Sequence, residues 1–390
     1  MRLTRFLRNA KVSVGEIVAE ARAGTAGRVA GRHVLAIQDT TSLRDDGGQH
    51  SIQAHPTIAV DSESGALLGL VHAEMLVRNG GQRGRRKSRA FADKESRRWL
   101  SGAEAAGGLC AARCVTVVSD REGDIYDAVA LKPDGVELVI RVAQDRALEG
   151  GARLFAHLSD QSEAGRFTVD LAARPGRAAR QAVLALRFCA AAIKRPCNRR
   201  GPCALPASVP MTLVEAREVD PPPGVVPAHW RLLTTHAVDD VATARWITGL
   251  YRRRWVIEEL FRTLKTKGFD IERVGIAEGP FEKLAAAALV AAISVLQLVQ
   301  GRDGAANRPL EDVFEPDEQA ALEAISTELE GKTEKQKNPH PRGTLAFTAW
   351  VCARLGGWTG YYGKPGPVVM LRGLHQFRAV QHGWVLAQHV

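Results

Sequence analysis

Two acidic side chains follow short apolar runs, at points where a buried strand would end. Asp39 comes directly after HVLAIQ (33–38), and Asp120 comes directly after CVTVVS (114–119). Carboxylates at the ends of strands face the crevice of an α/β sheet, and their oxygens are the ligands that hard divalent cations prefer. Either residue could instead cap a turn, and more charged residues follow Asp120 at positions 121–124. Taken alone, neither acid decides between the two roles.

A third segment is more informative, because its polar residues recur at helical spacing. In the segment YRRRWVIEELFRTLK (251–265), Tyr251, Arg254, Glu258 and Lys265 share an arc of about 60° on a helix that advances about 100° per residue. The apolar residues of this segment form an adjacent core stripe. The polar stripe is about 21 Å long at 1.5 Å per residue, enough to follow several nucleotides. The alternative is a salt bridge between Arg254 and Glu258 on an exposed face.

The elements around these residues predict an α/β fold. Positions 1–30 have helical patterning, and the two acids end buried strands. Between 150 and 235 the chain changes to short alternating runs separated by Pro, Gly and Arg turns, which predicts a small inserted antiparallel sheet. Four further elements are predicted: a hairpin turning at 61–65, a helix at 93–107, a strand at 137–142 and helices over 241–299. A polar linker at 327–342 leads to a helix at 345–355.

Composition favours a DNA-binding protein without establishing one. The 390 residues carry a formal charge of +10, so the surface should attract polyanions. The six cysteines include no CxxC pair, which disfavours a zinc ribbon and fits reduced thiols in the cytoplasm. The N-terminal residues lack the apolar core of a secretory signal. The longest apolar run, 284–299, is interrupted by Ser294 and Gln297 and predicts a buried core helix, with no membrane association.

The spacing Tyr251-x2-Arg254-x3-Glu258-x6-Lys265 resembles the Tyr-Arg-Glu-Lys signature of bacterial insertion-sequence transposases of the Asp-Asp-Glu class. The resemblance covers nearly the whole chain, in the correct order. The other segments that carry it are DTTS (39–42), KESRRW (94–99), DREGDI (120–125), HWRLLT (229–234) and ARLGG (353–357).

The resemblance implies an RNase H-like core, interrupted by a β-rich insertion, in which Asp39, Asp120 and Glu258 are the catalytic metal ligands. They would hold two Mg²⁺ ions, which Mn²⁺ could replace. The implied partners are double-stranded DNA, both transposon inverted repeats and target, and a second copy of the chain in a synaptic complex. The implied reaction is cleavage of the transposon end through a hairpin on the flanking strand, followed by strand transfer. The expected location is the cytoplasm, at the nucleoid.

Seven residues are predicted to contact DNA. Signature residues Tyr251, Arg254 and Lys265 would hold a phosphate. Trp230 matches the residue that stacks on a flipped base, although a core position is the alternative. Arg141 and Arg146 match basic positions near the active site, although a solvated charge is the alternative for an arginine after a strand, and Lys94 could contact phosphate. The run 83–89 is a further candidate for phosphate contact, but the default expectation for it is a flexible solvated loop.

Only 38 residues precede Asp39, whereas full-length relatives carry an N-terminal domain that binds the transposon end. Two functions of different class therefore stay open. The chain is an active transposase, or it is a shortened regulator that inhibits full-length transposase by mixed dimerisation. A standalone RNase H-like nuclease is a weaker third possibility. The predicted units are a residual helical segment (1–30), the two parts of the core (31–147 and 236–305), the insertion (148–235) and a helical dimerisation region (306–390).

Overall fold

One large mixed sheet organises the molecule. The computed structural model describes residues 2–45, 50–79, 90–173, 178–197, 205–305, 307–361 and 363–388. Within these ranges the strands are β1 (His33–Gln38), β2 (Thr41–Asp45), β3 (His50–Asp61), β4 (Leu67–Asn79), β5 (Cys114–Ser119), β6 (Val136–Arg141), β7 (Gly165–Leu171), β8 (Arg180–Lys194), β9 (Ser208–Glu218) and β10 (His229–Thr234). The α-helices are α1 (Arg2–Arg8), α2 (Val14–Arg28), α3 (Arg98–Gly107), α4 (Tyr126–Ala130), α5 (Leu154–Ser159), α6 (Val241–Arg252), α7 (Trp255–Lys265), α8 (Glu278–Gly301), α9 (Gln319–Leu329), α10 (Leu345–Leu355) and α11 (Pro367–Gln388).

The described strands run in the order β2-β3-β1-β5-β6-β10-β9-β8-β7, and β4 also pairs with β3. Strands β1, β5 and β6 are parallel to one another, whereas the remaining pairs are antiparallel. The predicted α/β fold with a mixed sheet and a helical C-terminal region is confirmed. The antiparallel strands predicted within 150–235 are present, but they do not form a separate small sheet. Because β10 pairs with β6, the antiparallel strands β7 to β10 continue the main sheet.

Strand β1 lies in the middle of the sheet because both of its faces are apolar. All six of its residues are buried. Leu35 and Ile37 face the core formed with α2, α7 and α8, whereas Val34 and Ala36 face the core formed with α3 and α4. This period-2 division of a continuous apolar run is typical of a strand covered by helices on both sides. The strand therefore supplies a rigid base for the residue that follows it, Asp39.

The segment 251–265 is not the single straight helix that its periodicity predicts. Helix α6 ends at Arg252 and α7 begins at Trp255. Across the junction, the amides of Arg253, Arg254, Val256 and Ile257 all donate to the carbonyl three residues earlier, in the tighter 3₁₀ pattern. This pattern interrupts the α-helix between Arg252 and Trp255. Arg254 is the N-cap residue of α7, one turn before Glu258.

The C-terminal helices have their own apolar core. Residues of α8, α9, α10 and α11 pack around Trp350 and Phe377. Of the helices described, only α8 is long and apolar enough to cross a membrane, and 61% of its most apolar window is buried inside the protein. That burial is typical of a core helix, the role predicted for 284–299. The linker predicted at 327–342 is shorter than expected, because α9 extends to Leu329.

Candidate active site at the carboxyl end of the parallel strands

The first two acids are neighbours because of strand register. Strands β1 and β5 are parallel, and Gln38 pairs with Ser119 as the last residue of each strand. Asp39 and Asp120 therefore follow equivalent positions at one edge of the sheet. This is the edge at which α/β proteins bind ligands.

Asp39 is almost completely buried, with 9% of its surface exposed. Its Oδ1 accepts a hydrogen bond from the Thr40 amide at 2.8 Å, and its Oδ2 accepts one from Nη1 of Arg254 at 2.6 Å. The second bond joins residues 215 positions apart in the chain. The junction between α6 and α7 is therefore hydrogen-bonded directly to the residue after β1.

Glu258 joins the same group through Arg254. Nη2 of Arg254 donates to Oε1 of Glu258 at 3.0 Å, so the i,i+4 salt bridge considered from the sequence is present. However, the same guanidinium also binds Asp39, and it is mostly buried. An exposed helical pair would not bridge two elements in this way. Arg254 thus lies between two of the three predicted catalytic carboxylates.

Electrostatics link Asp120 to the same group. Burial raises the pKa of Asp39 to about 6, and the charges of Asp120 and Glu258 add to the rise, while Arg254 and the Thr40 amide oppose it. Burial alone would lower the pKa of Arg254, but Tyr251, Asp39 and Glu258 together raise it. Three carboxylates therefore share a region in which one guanidinium does not fully compensate their charge.

Asp120 also caps the turn that follows it. Its side chain accepts a hydrogen bond from the Glu122 amide at 2.8 Å, at the start of a 3₁₀ turn (Arg121–Gly123). The capping role considered from the sequence is therefore real. It occupies Oδ1 of Asp120 and does not remove the carboxylate from the edge of the sheet.

The donor set can be tested against a divalent cation. Among the described residues, no group of three or more His, Cys, Asp or Glu side chains stands close enough to hold a metal ion. Arg254 instead provides positive charge to Asp39 and Glu258. The residues nevertheless fit a hard divalent cation in chemistry, because all three donors are carboxylates and the pKa of Asp39 stays raised despite the bound guanidinium.

The remaining signature residues differ in exposure. Tyr251 is 5% exposed and belongs to the main core. Lys265, the last residue of α7, forms an ion pair with Glu272 at 2.9 Å. It lies seven positions after Glu258, which corresponds to about 10 Å along the helix axis.

Trp230 and Arg141 lie at the same edge of the sheet as the acids. Strand β10 runs antiparallel to β6 with Leu232 opposite Arg141, so Trp230 stands just beyond the carboxyl end of β6. Trp230 is half-buried and packs against the main core, which gives it a packing role as well. Arg141 is also half-buried and donates to the carbonyl of His229 at 3.3 Å.

The other basic residues differ from one another. The side chain of Arg146 is 8% exposed, and its Nε donates to Oδ1 of Asp124 at 2.7 Å, so its guanidinium holds a loop and is not presented to DNA. Lys94 is half-buried between two short 3₁₀ turns. The run 83–89 lies outside the described residues.

Sequence reasoning missed one buried cation beside the acids. Arg98, the first residue of α3, hydrogen-bonds Thr40 next to Asp39 and Glu122 next to Asp120. Its charge alone gave no signal, because arginine at a helix start is common. The segment KESRRW (94–99), which contains Arg98, carried only the family resemblance and no prediction for this arginine.

Carboxylates at the carboxyl ends of parallel strands, in a basic protein, are compatible with an enzyme that acts on nucleic acid. A model of the family described as "Transposase DDE domain" matches residues 34–295, about two thirds of the chain. The protein belongs to this family. The match includes all three predicted catalytic carboxylates, and members of the family cleave and transfer DNA, generally with divalent metal ions.

Proposed function

We propose that this protein is a transposase that cleaves DNA at transposon ends and transfers the cut strands to a target, and that Asp39, Asp120 and Glu258 are its catalytic carboxylates. The observation that carries the proposal is that the three acids interact near the carboxyl ends of the parallel strands. Two of them share one guanidinium, and the third adds to the raised pKa of Asp39. Residues 39, 120 and 258 come together only in the folded chain.

The three carboxylates would hold two Mg²⁺ ions, for which Mn²⁺ could substitute. Such ions, when bound, activate an attacking water or 3′-hydroxyl and stabilise the leaving oxygen. Arg254, released from the acids, would bind the phosphate of the DNA end with its two Nη groups. Tyr251, predicted to hold the phosphate, is 5% exposed and would act on it through Arg254. Lys265 would contact the DNA backbone further along α7.

Residues around the sheet edge would bind the rest of the DNA end. Trp230 would stack on a displaced base, and Arg141 and Lys94 would contact phosphates. Arg146 is omitted from this set because it is buried against Asp124. The DNA would be chromosomal, which places the protein in the cytoplasm at the nucleoid.

The strand order supports an RNase H-like core. The antiparallel strands β4, β3 and β1 are followed by β5 and β6, which add in parallel to the other side of β1. We assign 31–147 and 236–305 to this core and 148–235 to a β-rich insertion between the second and third acid. The spacing at 251–265 supports the Tyr-Arg-Glu-Lys subclass.

The C-terminal region, 306–390, is proposed to join two copies of the chain in the synaptic complex. Val380 and Trp384 lie one turn apart on α11 and are 45% and 39% exposed. Apolar residues so placed fit burial against a partner.

Cleavage of DNA carrying the inverted repeats that flank the gene tests this function. We expect Mg²⁺-dependent nicking at the 3′ transposon end, a hairpin on the flanking strand, and joining to a target plasmid. A variant extended at its N-terminus, assayed in parallel, would show whether additional end-binding contacts are required. Hydrolysis without strand transfer would instead indicate a nuclease. Mixed dimerisation with a full-length transposase, without cleavage by either form, would indicate a regulator.

A further inference from the structure

The first turn of α3 lies where the segments carrying Asp39 and Asp120 come together. Arg98 is 7% exposed, and its guanidinium contacts both segments. Its Nε donates to Oγ1 of Thr40 at 3.2 Å, and its Nη2 donates to Oε2 of Glu122 at 3.2 Å. Thr40 follows Asp39, and Glu122 lies two residues after Asp120. One side chain therefore connects the two loops at the edge of the sheet.

The guanidinium is itself held in place. Its Nη1 donates to the carbonyl of Glu95 at 3.0 Å, and its Cζ lies 5.4 Å from the ring centroid of Trp99. With three directed hydrogen bonds, Arg98 has little freedom to change rotamer. The planar, forked geometry of arginine is needed here, because a lysine ammonium would act as a single point charge.

The same turn is fixed to β1 and β3 by a second set of hydrogen bonds. Oγ1 of Thr40 lies 2.9 Å from Nδ1 of His55, and Nε2 of His55 lies 3.3 Å from Oε1 of Gln38. Nε2 of Gln38 donates to the carbonyl of Trp99 at 3.1 Å. His55 and Gln38 are buried. These hydrogen bonds run from Thr40 through His55 and Gln38 back to α3. They fix the residues on both sides of Asp39, which are Gln38 and Thr40.

Close packing leaves little room for these segments to shift. A Cβ on Gly123 would stand 2.3 Å from Oγ of Ser119 and 3.1 Å from the ring of Trp99. A Cβ on Gly102 would stand 2.3 Å from Oε1 of Gln38. The turn after Asp120 and the end of β1 therefore both pack tightly against α3.

We infer that Arg98 is a positioning residue that sets the relative placement of Asp39 and Asp120 through Thr40 and Glu122. This inference rests on the proposed function for those two acids. Arg98 does not bind the reacting groups itself, because its hydrogen-bonding groups are directed to Thr40, Glu122 and the Glu95 carbonyl. Side chains that orient metal ligands typically change metal affinity 10- to 100-fold when they are replaced.

Binding of Mn²⁺ to the full chain without DNA, measured by calorimetry, tests the inference independently of cleavage. We expect Arg98→Met to weaken Mn²⁺ binding by about 10-fold or more. We expect Arg98→Lys to have a smaller effect, because the ammonium keeps the charge but cannot bridge both loops. Urea unfolding of each variant identifies the folded fraction, so a loss of fold is not mistaken for a loss of positioning.

A matched control lies one residue away. Arg97 binds Glu104 with one Nη on the surface of α3, at 2.9 and 2.7 Å to its two oxygens. Arg97→Met should leave Mn²⁺ binding unchanged. Equal weakening by Arg97→Met and Arg98→Met would overturn the inference, because general loss of charge would then explain both.

Glu122→Gln keeps the test decisive even where Arg98→Met does not fold. The Glu122 side chain is 62% exposed, so its replacement should be tolerated. We expect Mn²⁺ binding weakened several-fold, with no further loss in Glu122→Gln combined with Arg98→Lys, because both changes break one bridge. Wild-type Mn²⁺ affinity in folded Glu122→Gln and Arg98→Lys would overturn the inference.

Glu258→Gln separates this inference from the proposed function, because Glu258 lies outside the Arg98 network. If Glu258→Gln binds Mn²⁺ as the wild type does, the proposed carboxylate site fails. If Glu258→Gln loses binding while the Arg98 and Glu122 variants keep it, only the positioning role fails.

Discussion

Strands β1 and β5 lie side by side, and polar side chains close both of their ends. At the amino end, Oγ1 of Thr116 lies 2.8 Å from Nε2 of His33 and 2.8 Å from Nε2 of His236. One hydroxyl can donate to one ring and accept from the other, so both imidazoles are satisfied while neutral. Trp246 packs against both rings, with centroids 5.6 and 5.0 Å away. Burial lowers the pKa of His33 to about 4, with His236 adding to the effect.

At the carboxyl end, the groups are charged and are not matched in number. Asp39 and Glu258 share Arg254, and burial together with the charges of Asp120 and Glu258 keeps the pKa of Asp39 at about 6. Both ends are buried and hydrogen-bonded, so burial does not distinguish them. The two ends differ in uncompensated charge. Such charge destabilises the fold, and binding of a cation would offset this cost. This difference supports the proposal that the catalytic site lies at the carboxyl end.

The largest expected effect separates the two ends directly. Asp39→Asn, Asp120→Asn and Glu258→Gln should each lower Mg²⁺-dependent cleavage about a thousandfold or more, because metal stabilisation of the transition state contributes several kcal/mol. His33→Gln, at the amino end, should leave the cleavage rate unchanged. Single-turnover cleavage of an end-containing duplex measures both. Full activity in any one acid variant would remove that residue from the site.

Arg254→Met should destabilise the protein by about 2–3 kcal/mol in buffer without divalent cations, because two partly buried carboxylates lose their shared cation. The deficit should be larger at pH 8 than at pH 5, since removing Arg254 raises the pKa of Asp39 further and protonation at low pH removes the repulsion. Urea unfolding at the two pH values provides the measurement.

The neighbouring Arg252 is exposed and donates to the Asp170 carbonyl, so Arg252→Met is the matched control. Mg²⁺ should restore part of the stability of Arg254→Met and have no such effect on Arg252→Met. A deficit that is independent of both pH and Mg²⁺ would mean that Arg254 acts only through packing.

The amino end should also make stability depend on pH, but there stability is lost as the pH falls. The pKa of folded His33 is about 4, below the usual 6.5, so only the unfolded chain binds a proton between these values. Its contribution is complete above about pH 6.5 and is lost as pH falls toward 4. The unfolding free energy of the wild type should fall as the pH is lowered from 7 to 4.5. We expect this fall to be roughly 2 kcal/mol smaller in His33→Gln. His375→Gln, at an exposed position, is the control. An unchanged pH dependence in His33→Gln would show that this histidine is not kept neutral.

The strands that carry the acids were predictable because their apolar runs are continuous and each ends at a charge. Strands β1 and β5 have the predicted bounds, 33–38 and 114–119. The region 306–390 was predicted to be helical, but the bounds of its last helix, 367–388, were not, because the apolar residues of α11 reveal their face only against α8 and α10.

The candidate site was predictable only in part. Local periodicity placed Arg254 and Glu258 on one helical face but could not show the break between α6 and α7 or the contact from Arg254 to Asp39. Arg98 had no local signal for this role, since Thr40 and Glu122 come from the turns after β1 and after β5. Contacts between distant segments are fixed by tertiary packing, and no single stretch of sequence encodes them.

The smallest expected effect compares two tryptophans at opposite ends of the sheet. Trp230 stands at the carboxyl edge and is half-buried, whereas Trp246 stands at the amino edge with 40% of its surface exposed. Trp230→Ala should slow hairpin formation about tenfold more than the first nick, because base stacking on an indole contributes about 1–3 kcal/mol and is needed only once the base is displaced. Trp246→Ala should change neither step, although it removes a packing partner of His33. Rates of both steps on a labelled transposon end distinguish the two variants. Equal slowing of the nick and the hairpin by Trp230→Ala would show that Trp230 acts only in packing. The proposed site would then include the carboxylates but not this tryptophan.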